Sequence, residues 1–338
     1  MLSCEDFLER PPLDQISETN YWKTTADLEN YILQFYPDTW PKHSRSAQQT
    51  PYGYETKSDN MTLQSANNLL NGDTPVNTGT WTGDWSEIRS INIFFDNYRK
   101  CEDPFSAYQH ILGEAYFFRA WLYFNLVKTY GDVPWYSSAL SPDDEEFLNK
   151  ARDPRTLVVD SILSDLDHAI DYLDTRAESE HGNAAINKEA ALALKTRVAL
   201  YEGTWQKYHS GTPFATQGAN PDKYFRACIE AAEELINGDY TVGIYNTGNP
   251  EIDWHTLFST DDLGSFNEVL LYKPYSKSAG LGHNAHKYAA GDLQNYGVTW
   301  SLVTSYLGLD GKPYDYIELA TATKGSDYLT AISNDCDP

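Results

Sequence analysis

Two stretches concentrate rings with polar neighbours outside any helical stripe. The first is Trp81-Thr82-Gly83-Asp84-Trp85, preceded by Asn71-Gly72-Asp73-Thr74-Pro75-Val76-Asn77. The second runs from Asn284 to Trp300 and holds Tyr288, Asn295, Tyr296 and Trp300. Flat rings cover the apolar faces of pyranoses, and neighbouring Asp, Asn and Lys side chains take up the hydroxyls through directional hydrogen bonds. The candidate ligand-binding residues are therefore Trp81, Trp85, Tyr296, Trp300, Asp73, Asn77, Asn295 and His283, with Trp40, Tyr52 and Tyr54 as further rings. Trp85 stands at the predicted start of a helix and is equally placed to be core; the same alternative holds for Trp81, Tyr296 and Trp300.

Bond-making chemistry has less support. The chain has no Gly-rich phosphate loop, no H-E-x-x-H helix and no G-x-S-x-G elbow. His283-x-x-His286, with His255 upstream, has ligand-like spacing, but in a loop full of Gly and Asn a polar contact is favoured over a metal. Neither a metal nor a cofactor is expected. Asp84 with Glu87, or Asp261 with Asp262, resembles the carboxyl pair of a glycosidase, whose two groups stand about 5 to 10 Å apart across a cleft. A chain with 49 acidic residues contains such pairs by chance, so they do not make it an enzyme.

The acidic excess, 49 against 25 basic residues for a net charge of −24, repels phosphate backbones and anionic lipid headgroups, so nucleic acid is not an expected partner. Aromatics make up 14% of the chain, with nine Trp and twenty-five Tyr, more than a core needs. Cys4, Cys101, Cys228 and Cys336 form no C-x-x-C pair and no zinc spacing. No apolar run reaches the roughly 18 residues that span a bilayer, and no charged-then-apolar signal opens the chain.

The elements that must position these residues are mostly helices. Residues 5–17 read as an extended tether. Asn20 to Tyr36 reads as a helix capped by Thr25 or Asp27, with Leu28, Tyr31, Ile32 and Phe35 inside, and 38–80 as a long irregular excursion. A helix over about 85–98 precedes the central one. There Ile111, Ala115, Phe118, Leu122 and Leu126 mark one face, and Tyr116, Phe117, Trp121, Tyr123, Phe124 and Val127 wrap most of the rest, so other elements must cover it on several sides. Glu114 and Arg119 are expected to bond neighbouring helices, and Gly131-Asp132-Val133-Pro134 to stop the helix sharply. An acidic connector, 137–153, leads to helices over about 155–173, 188–203, closed by Gly203, and 222–236. Val269–Tyr272 reads as a strand, 276–300 as loop and Val298–Leu307 as a short helix. The fold class is mainly α: a tetratricopeptide-like array of antiparallel helix pairs with long irregular loops and a few short strands, although the 34-residue period is not kept.

Gly113-Glu114-Ala115, Arg119-Ala120, Tyr123-Phe124, Leu126-Val127 and Tyr130-Gly131-Asp132-Val133-Pro134 resemble the most recognisable block of the SusD/RagB family, surface glycan-binding lipoproteins of Bacteroidetes-type bacteria. Cys4-Glu5-Asp6-Phe7-Leu8 with Pro11-Pro12, Tyr21-Trp22 and Asp310-Gly311-Lys312 extend the likeness. The resemblance implies a lipid-anchor tether at 1–17 and a SusD-like domain over 18–338. Within that domain it places the helical-pair array at about 85–237 and loop-rich binding segments at about 38–84 and 240–310. It implies that the family's C-terminal part is missing. Leu2-Ser3-Cys4 resembles the tail of a lipobox, which makes Cys4 the expected lipidated residue. The function implied is a binding protein of the cell outer membrane that captures oligosaccharides and delivers them to a SusC-like TonB-dependent transporter, docked on the outer surface of the array. A peptide-binding member of the same family and a helical glycoside hydrolase are the alternatives.

Overall fold

The computed structural model describes residues 21–39, 57–63, 70–73, 81–276, 296–308 and 310–313, with the single residues 55, 68, 278, 280 and 282; at 38, 39, 63, 82–84, 296 and 300 it describes the backbone alone. The chain divides into two compact units. One comprises Met1–Thr39, Thr78–Thr247 and Thr256–Pro274; the other comprises Trp40–Asn77, Gly248–His255 and Tyr275–Pro338. The architecture is mainly helical, as the periodicities predict.

The first unit opens with α1 (Thr25–Leu33), whose cap is Thr24. Its hydroxyl accepts from the Asp27 N–H at 3.3 Å, and the Asp27 carboxylate accepts from the Thr24 N–H at 2.9 Å, a complete capping box. The single helix expected from Asn20 is in fact two, because Gln34 separates α1 from α2 (Phe35–Thr39). Just ahead of them Trp22 has φ +78°, a strained backbone for a bulky residue. Its indole is buried on Tyr31, with ring centroids 4.6 Å apart, and edge-on to Tyr21 and Phe94, which offsets that strain.

Next come α3 (Trp81–Asn97) and α4 (Phe105–Tyr130), the central helix. Fifteen residues of α4 between Tyr108 and Val127 are buried. Four sides are taken by this same chain. Phe95 and Trp85 of α3 meet Tyr116 and Tyr123, and Phe35 and Tyr36 of α2 meet Phe118. Asp165 reaches it from α6 (Arg155–Tyr172), and Tyr201 from α7 (Lys188–Tyr208). The covering body that the sequence demands for this helix is thus internal, and the helix itself calls for no partner. Gly131, at φ +73°, ends it as expected and donates to Val127 O at 3.0 Å.

The helices α4, α6 and α7 run antiparallel in turn, which their ends make plain. Tyr172 O and the Asp174 N–H, at the end of α6, bond Gln109 and His110 near the start of α4, while Arg155 N at the start of α6 bonds Asp132 just past the end of α4. Likewise Arg155 meets Glu202 late in α7, and Arg176 N meets Glu189 early in it. A Cβ on Gly113 would stand 2.8 Å from Leu173, so that glycine lets α4 and α6 approach closely. Gly203 does not close α7 as its type suggests. It lies inside the helix, where a Cβ would collide with Phe225 of α8 (Pro221–Asn237) at 2.7 Å. Small α5 (Glu145–Leu148) interrupts the acidic connector, and α9 (Pro250–Ser259) follows α8.

Val269–Tyr272 is not a strand. Its peptide groups are taken by the turn before α7: Asn183 Nδ2 donates to Val269 O at 3.0 Å, Tyr272 N to Asn183 O at 3.0 Å, and Asn187 Nδ2 to Leu270 O at 2.9 Å. Extended residues satisfied this way need no ladder. The strands among the described residues lie in the second unit, within stretches expected to be loop. There β1 (Met61–Leu63) pairs antiparallel with β2 (Tyr296–Val298), Thr62 opposite Gly297. Beyond it α10 (Trp300–Val303) is shorter than the helix expected there, and its start is tied by the Ser301 hydroxyl to Asp59 Oδ2 at 3.0 Å.

Buried charges tie the first unit together. Arg119 Nε and Nη2 donate to the two carboxylate oxygens of Asp165, each at 2.7 Å. Arg155 donates through Nε and Nη2 to Glu202, which is fully buried. Replacing Arg155 with Met leaves that carboxylate unpaired, and the expected loss is about 3–5 kcal/mol by urea unfolding. The double replacement Arg155→Met with Glu202→Met should recover most of it.

Glu114 is buried, and its one basic neighbour among the described residues is His110, whose Nε2 stands 3.8 Å from Oε1 and whose imidazole burial disfavours in the charged form. The Tyr36 hydroxyl donates to Glu114 Oε1 and accepts from the Ile186 N–H at 3.0 Å. Burial pushes the Glu114 carboxyl up to about 8 from 4.5; the Tyr36 hydrogen bond opposes this and the Glu29 charge adds to it. Below about pH 4.5 the folded and unfolded chains are both protonated here, and the group adds no pH dependence. From there to about pH 8 the unfolded chain releases a proton that the folded one keeps, so this group lowers stability as pH rises. Glu114→Gln keeps an acceptor for Tyr36 and removes that slope. The expected outcome is a gain in urea midpoint over the parent that is larger at pH 8 than at pH 5.

Candidate functional site

Trp81, Trp85, Ile88 and Asn92 recur at steps of four, three and four and form one stripe of α3. The helix begins at Trp81, one turn before the start expected at Trp85. Thr82 and Gly83 are weak helix formers, but packing outweighs propensity here. The Trp81 ring stands 5.2 Å from Trp85 and 4.9 Å from Tyr130, both edge-on, and Trp85 meets Tyr136 at 5.7 Å. These two tryptophans are therefore helical, not loop residues, and both are half-buried.

The facing wall is the segment after Gly131. Val133 is fully buried and bridges Asp153, whose carboxylate accepts from the Trp135 N–H at 2.7 Å. Tyr123 holds both backbone polar groups of Tyr136: its hydroxyl accepts from Tyr136 N at 2.7 Å and donates to Tyr136 O at 3.2 Å. Burial pushes the Tyr123 phenol above its ordinary range, so it stays a donor. Asn92 Nδ2 donates to the carbonyls of Tyr136 at 2.9 Å and Ser138 at 3.3 Å. Between the stripe and this wall lies a cavity of about 860 Å³, within the range of small-ligand sites.

Its apolar lining includes Trp81, Trp85, Pro134, Tyr136, Leu140 and Leu148; its polar groups include Asn92, Ser141 and three cations, Arg89, Lys150 and Arg152. No carboxylate stands among its described lining residues. Lys150 Nζ lies 4.7 Å from the centre of the Tyr136 ring and donates to Asp153 Oδ2 at 2.7 Å and to Trp135 O at 2.8 Å. The Arg152 guanidinium covers Trp81 at 4.9 Å while Nη1 donates to Tyr130 O at 3.3 Å. The Trp85 Nε1–H is buried with no acceptor among the described residues. Rings, a rim of donors and a cavity of this size suit a polyhydroxylated ligand that stacks on one face and accepts hydrogen bonds at its edges.

Of the residues singled out from the sequence, the structure brings together Trp81 and Trp85. Asp73 is exposed in a turn of the second unit, Tyr296 lies in β2 and Trp300 opens α10. Cys4, Asn77, His283 and Asn295, with Trp40, Tyr52, Tyr54 and His286, lie outside the described residues. Of the carboxylate pairs, Asp262 accepts from the Gly264 N–H at 2.9 Å as the cap of a short turn, and Asp261 beside it is exposed. No group of three His, Cys, Asp or Glu among the described residues is placed to hold a metal ion, and no described helix is long and apolar enough to cross a membrane. Cys101 and Cys228 are free thiols. Sequence reasoning missed Tyr136, Lys150 and Arg152. Tyr136 had a signal in the Pro134-Trp135-Tyr136 run after the helix stop, whereas Lys150 and Arg152 sit in an acidic connector that reads as solvated surface.

A family model for SusD-like proteins, described as starch-binding and associating with the outer membrane, matches residues 6–200. SusD-like protein P2 of Formosa agariphila is 23% identical over 351 residues, covering 94% of this chain and 65% of its own length. The fold matches a SusD-like carbohydrate binding protein from Bacteroides fragilis with TM-score 0.70 at 17% identity, over 94% of this chain and 58% of that one. A laminarin binding SusD-like protein matches with TM-score 0.52 at 18% identity, over 70% of this chain and 49% of that one. The chain thus spans less than two thirds of the length of these proteins. With more than half of its own residues matched by the family model, the chain belongs to the SusD-like family.

Proposed function

We propose that this protein is a lipid-anchored, cell-surface glycan-binding protein of the outer membrane that captures oligosaccharides and passes them to a SusC-like TonB-dependent transporter. The observation that carries the glycan reading is the cavity lined by Trp81, Trp85 and Tyr136 with a rim of Arg89, Lys150 and Arg152. Membership of a family described as starch-binding supports it, as does the fold shared with a protein that binds laminarin. The family description also supports the outer membrane as the location, and the lipobox-like Leu2-Ser3-Cys4 supports anchoring there through Cys4.

The affinity of such a site comes first from its rings. A Trp face that loses about 80 Å² of apolar surface to a sugar contributes about 2 kcal/mol, roughly thirtyfold in affinity. Part of Trp81 is already covered by Tyr130 and Arg152, so the expected effect is smaller. Trp81→Ala should weaken oligosaccharide binding about tenfold by calorimetry, with the cavity's other contacts each contributing about 1 kcal/mol. Tyr296→Ala is the parallel test of the second unit, where Asp73 and Trp300 also lie and Asn77, Asn295 and His283 belong in sequence. Parent-like binding by a folded Trp81→Ala protein would remove the cavity from the reading. Release of shorter sugars from a labelled oligosaccharide would favour a hydrolase, and retention of peptides in preference to glycans a peptide-binding member.

Anchoring has its own test. One acyl chain holds a protein only marginally on a bilayer, while several hold it stably. Cys4→Ala in the full-length precursor should therefore move the protein from the membrane to the soluble fraction. Unchanged fractionation sinks the anchor, and recovery of the native protein from mild detergent without a large barrel sinks the transporter partnership.

A further inference from the structure

A second concavity, of about 730 Å³, shares a wall with the first. The wall is the segment 134–138, whose successive side chains take opposite sides. Pro134, Tyr136 and Ser138 line the first cavity, while Trp135 and Ser137 line the second. Its floor is the buried Arg119–Asp165 pair, and its far side is a face of α6 with Asp160, Ser161, Ser164 and His168.

The floor has unused hydrogen-bonding capacity. A guanidinium carries five N–H groups. Arg119 commits two of them to Asp165 at 2.7 Å, and one on Nη1 reaches Asn92 Oδ1 only at 3.5 Å. One N–H on each terminal nitrogen has no acceptor among the described residues, although Arg119 is only 6% exposed and lines the concavity. A buried donor in that condition calls for an acceptor from outside. Above it, Asp160 uses Oδ1 to accept from Lys223 at 2.6 Å and Tyr224 at 3.0 Å and leaves Oδ2 open. The Ser161 hydroxyl, which donates to Leu157 O at 2.9 Å, is left as an acceptor. Trp135, Tyr116 and His168 supply ring surface, the last two 4.9 Å apart.

We propose that this concavity is a second binding site, for one neutral sugar ring, with Arg119 donating to a ring hydroxyl or ether oxygen and Asp160 accepting from another hydroxyl. The ligand is neutral because each of these charges already has its match, Arg119 in Asp165 and Asp160 in Lys223, so the lining offers an acidic sugar no unmatched Arg or Lys. The cation-rimmed first cavity differs in this respect. The proposal stands on the groups of this concavity alone and does not need a glycan in the first.

Saturation-transfer NMR with a panel of methyl glycosides of glucose, galactose, mannose and xylose, and with methyl glucuronide as the acidic comparison, tests it. Ser164 is exposed on α6, so Ser164→Trp fills the concavity without touching the core. His168→Ala removes one ring from its wall. The expected result is a signal from at least one neutral glycoside that survives Trp81→Ala, falls at least tenfold in Ser164→Trp and at least threefold in His168→Ala, and exceeds that of the glucuronide. A signal lost in Trp81→Ala but intact in folded Ser164→Trp overturns this site and leaves the first cavity standing. So does a glucuronide that binds as well as the neutral sugars, or the absence of any signal from the panel.

Discussion

A helix buried on every side must find a partner for each polar group it carries, because water is no longer available to them. That constraint falls on α4 through Glu114 and Arg119, and the arrangement of the first unit follows from how it is met. Arg119 takes Asp165 in a two-pronged bond that sets α6 in register against α4. The guanidinium is held flat by Phe95 at 3.9 Å, which brings α3 into the same cluster. Glu114 takes the Tyr36 hydroxyl, and the same hydroxyl receives the Ile186 N–H, so α2 and the turn before α7 are positioned by one oxygen. Such pairs contribute little net stability against a well-packed apolar replacement, yet each tolerates only one geometry. Their value here is in specifying which helix lies where.

Both concavities depend on that register. The segment 131–138 leaves α4 at Gly131 and is fastened at once by the Tyr123 hydroxyl, the Asn92 amide and the Asp153 carboxylate. Each fastening group belongs to a different element, so the segment is fixed only while those elements keep their relation. Its successive side chains take opposite sides, and those two sides serve two hollows. Asn92 joins them physically: its Nδ2 holds the wall and its Oδ1 faces Arg119.

The helices were legible because burial imposes a period. Ile111, Ala115, Phe118, Leu122 and Leu126 repeat at helical spacing, and the all-round apolar girth of α4 signals a helix inside other helices. The stop at Gly131 was legible for a local reason, since few other residues adopt φ +73° without cost. Asn92 lies on the buried face of its helix, but its amide serves the cavity wall. What periodicity cannot register is a backbone satisfied by side chains. Val269–Tyr272 has the composition of a strand, and Asn183 and Asn187 hold it instead of a neighbouring strand. Gly203 looks like a helix end in sequence because its packing partner, Phe225, is 22 positions away. The rings of the candidate site were legible by type, but Trp81 was placed one turn outside the helix whose packing on Tyr130 creates that turn.

Lys150 and Arg152 escaped notice for a reason that bears on ligand choice. Averaged over the chain the charge is −24, and the connector that carries them is acidic. Fields from exposed charges fade within about 8 Å at physiological salt, however, so the distant carboxylates scarcely act inside the cavity. Contact charges do. Arg152 lies over Trp81 and Lys150 over Tyr136, where each cation is drawn to a ring face. The net charge therefore governs which molecules approach the surface, while these two residues and Arg89 govern which groups are held once inside. In the second hollow Arg119 is matched by Asp165 and Asp160 by Lys223, so the same reasoning gives an acidic group no unmatched Arg or Lys to meet there. One acidic chain thus presents two pockets of different electrostatic character across a single strip of backbone.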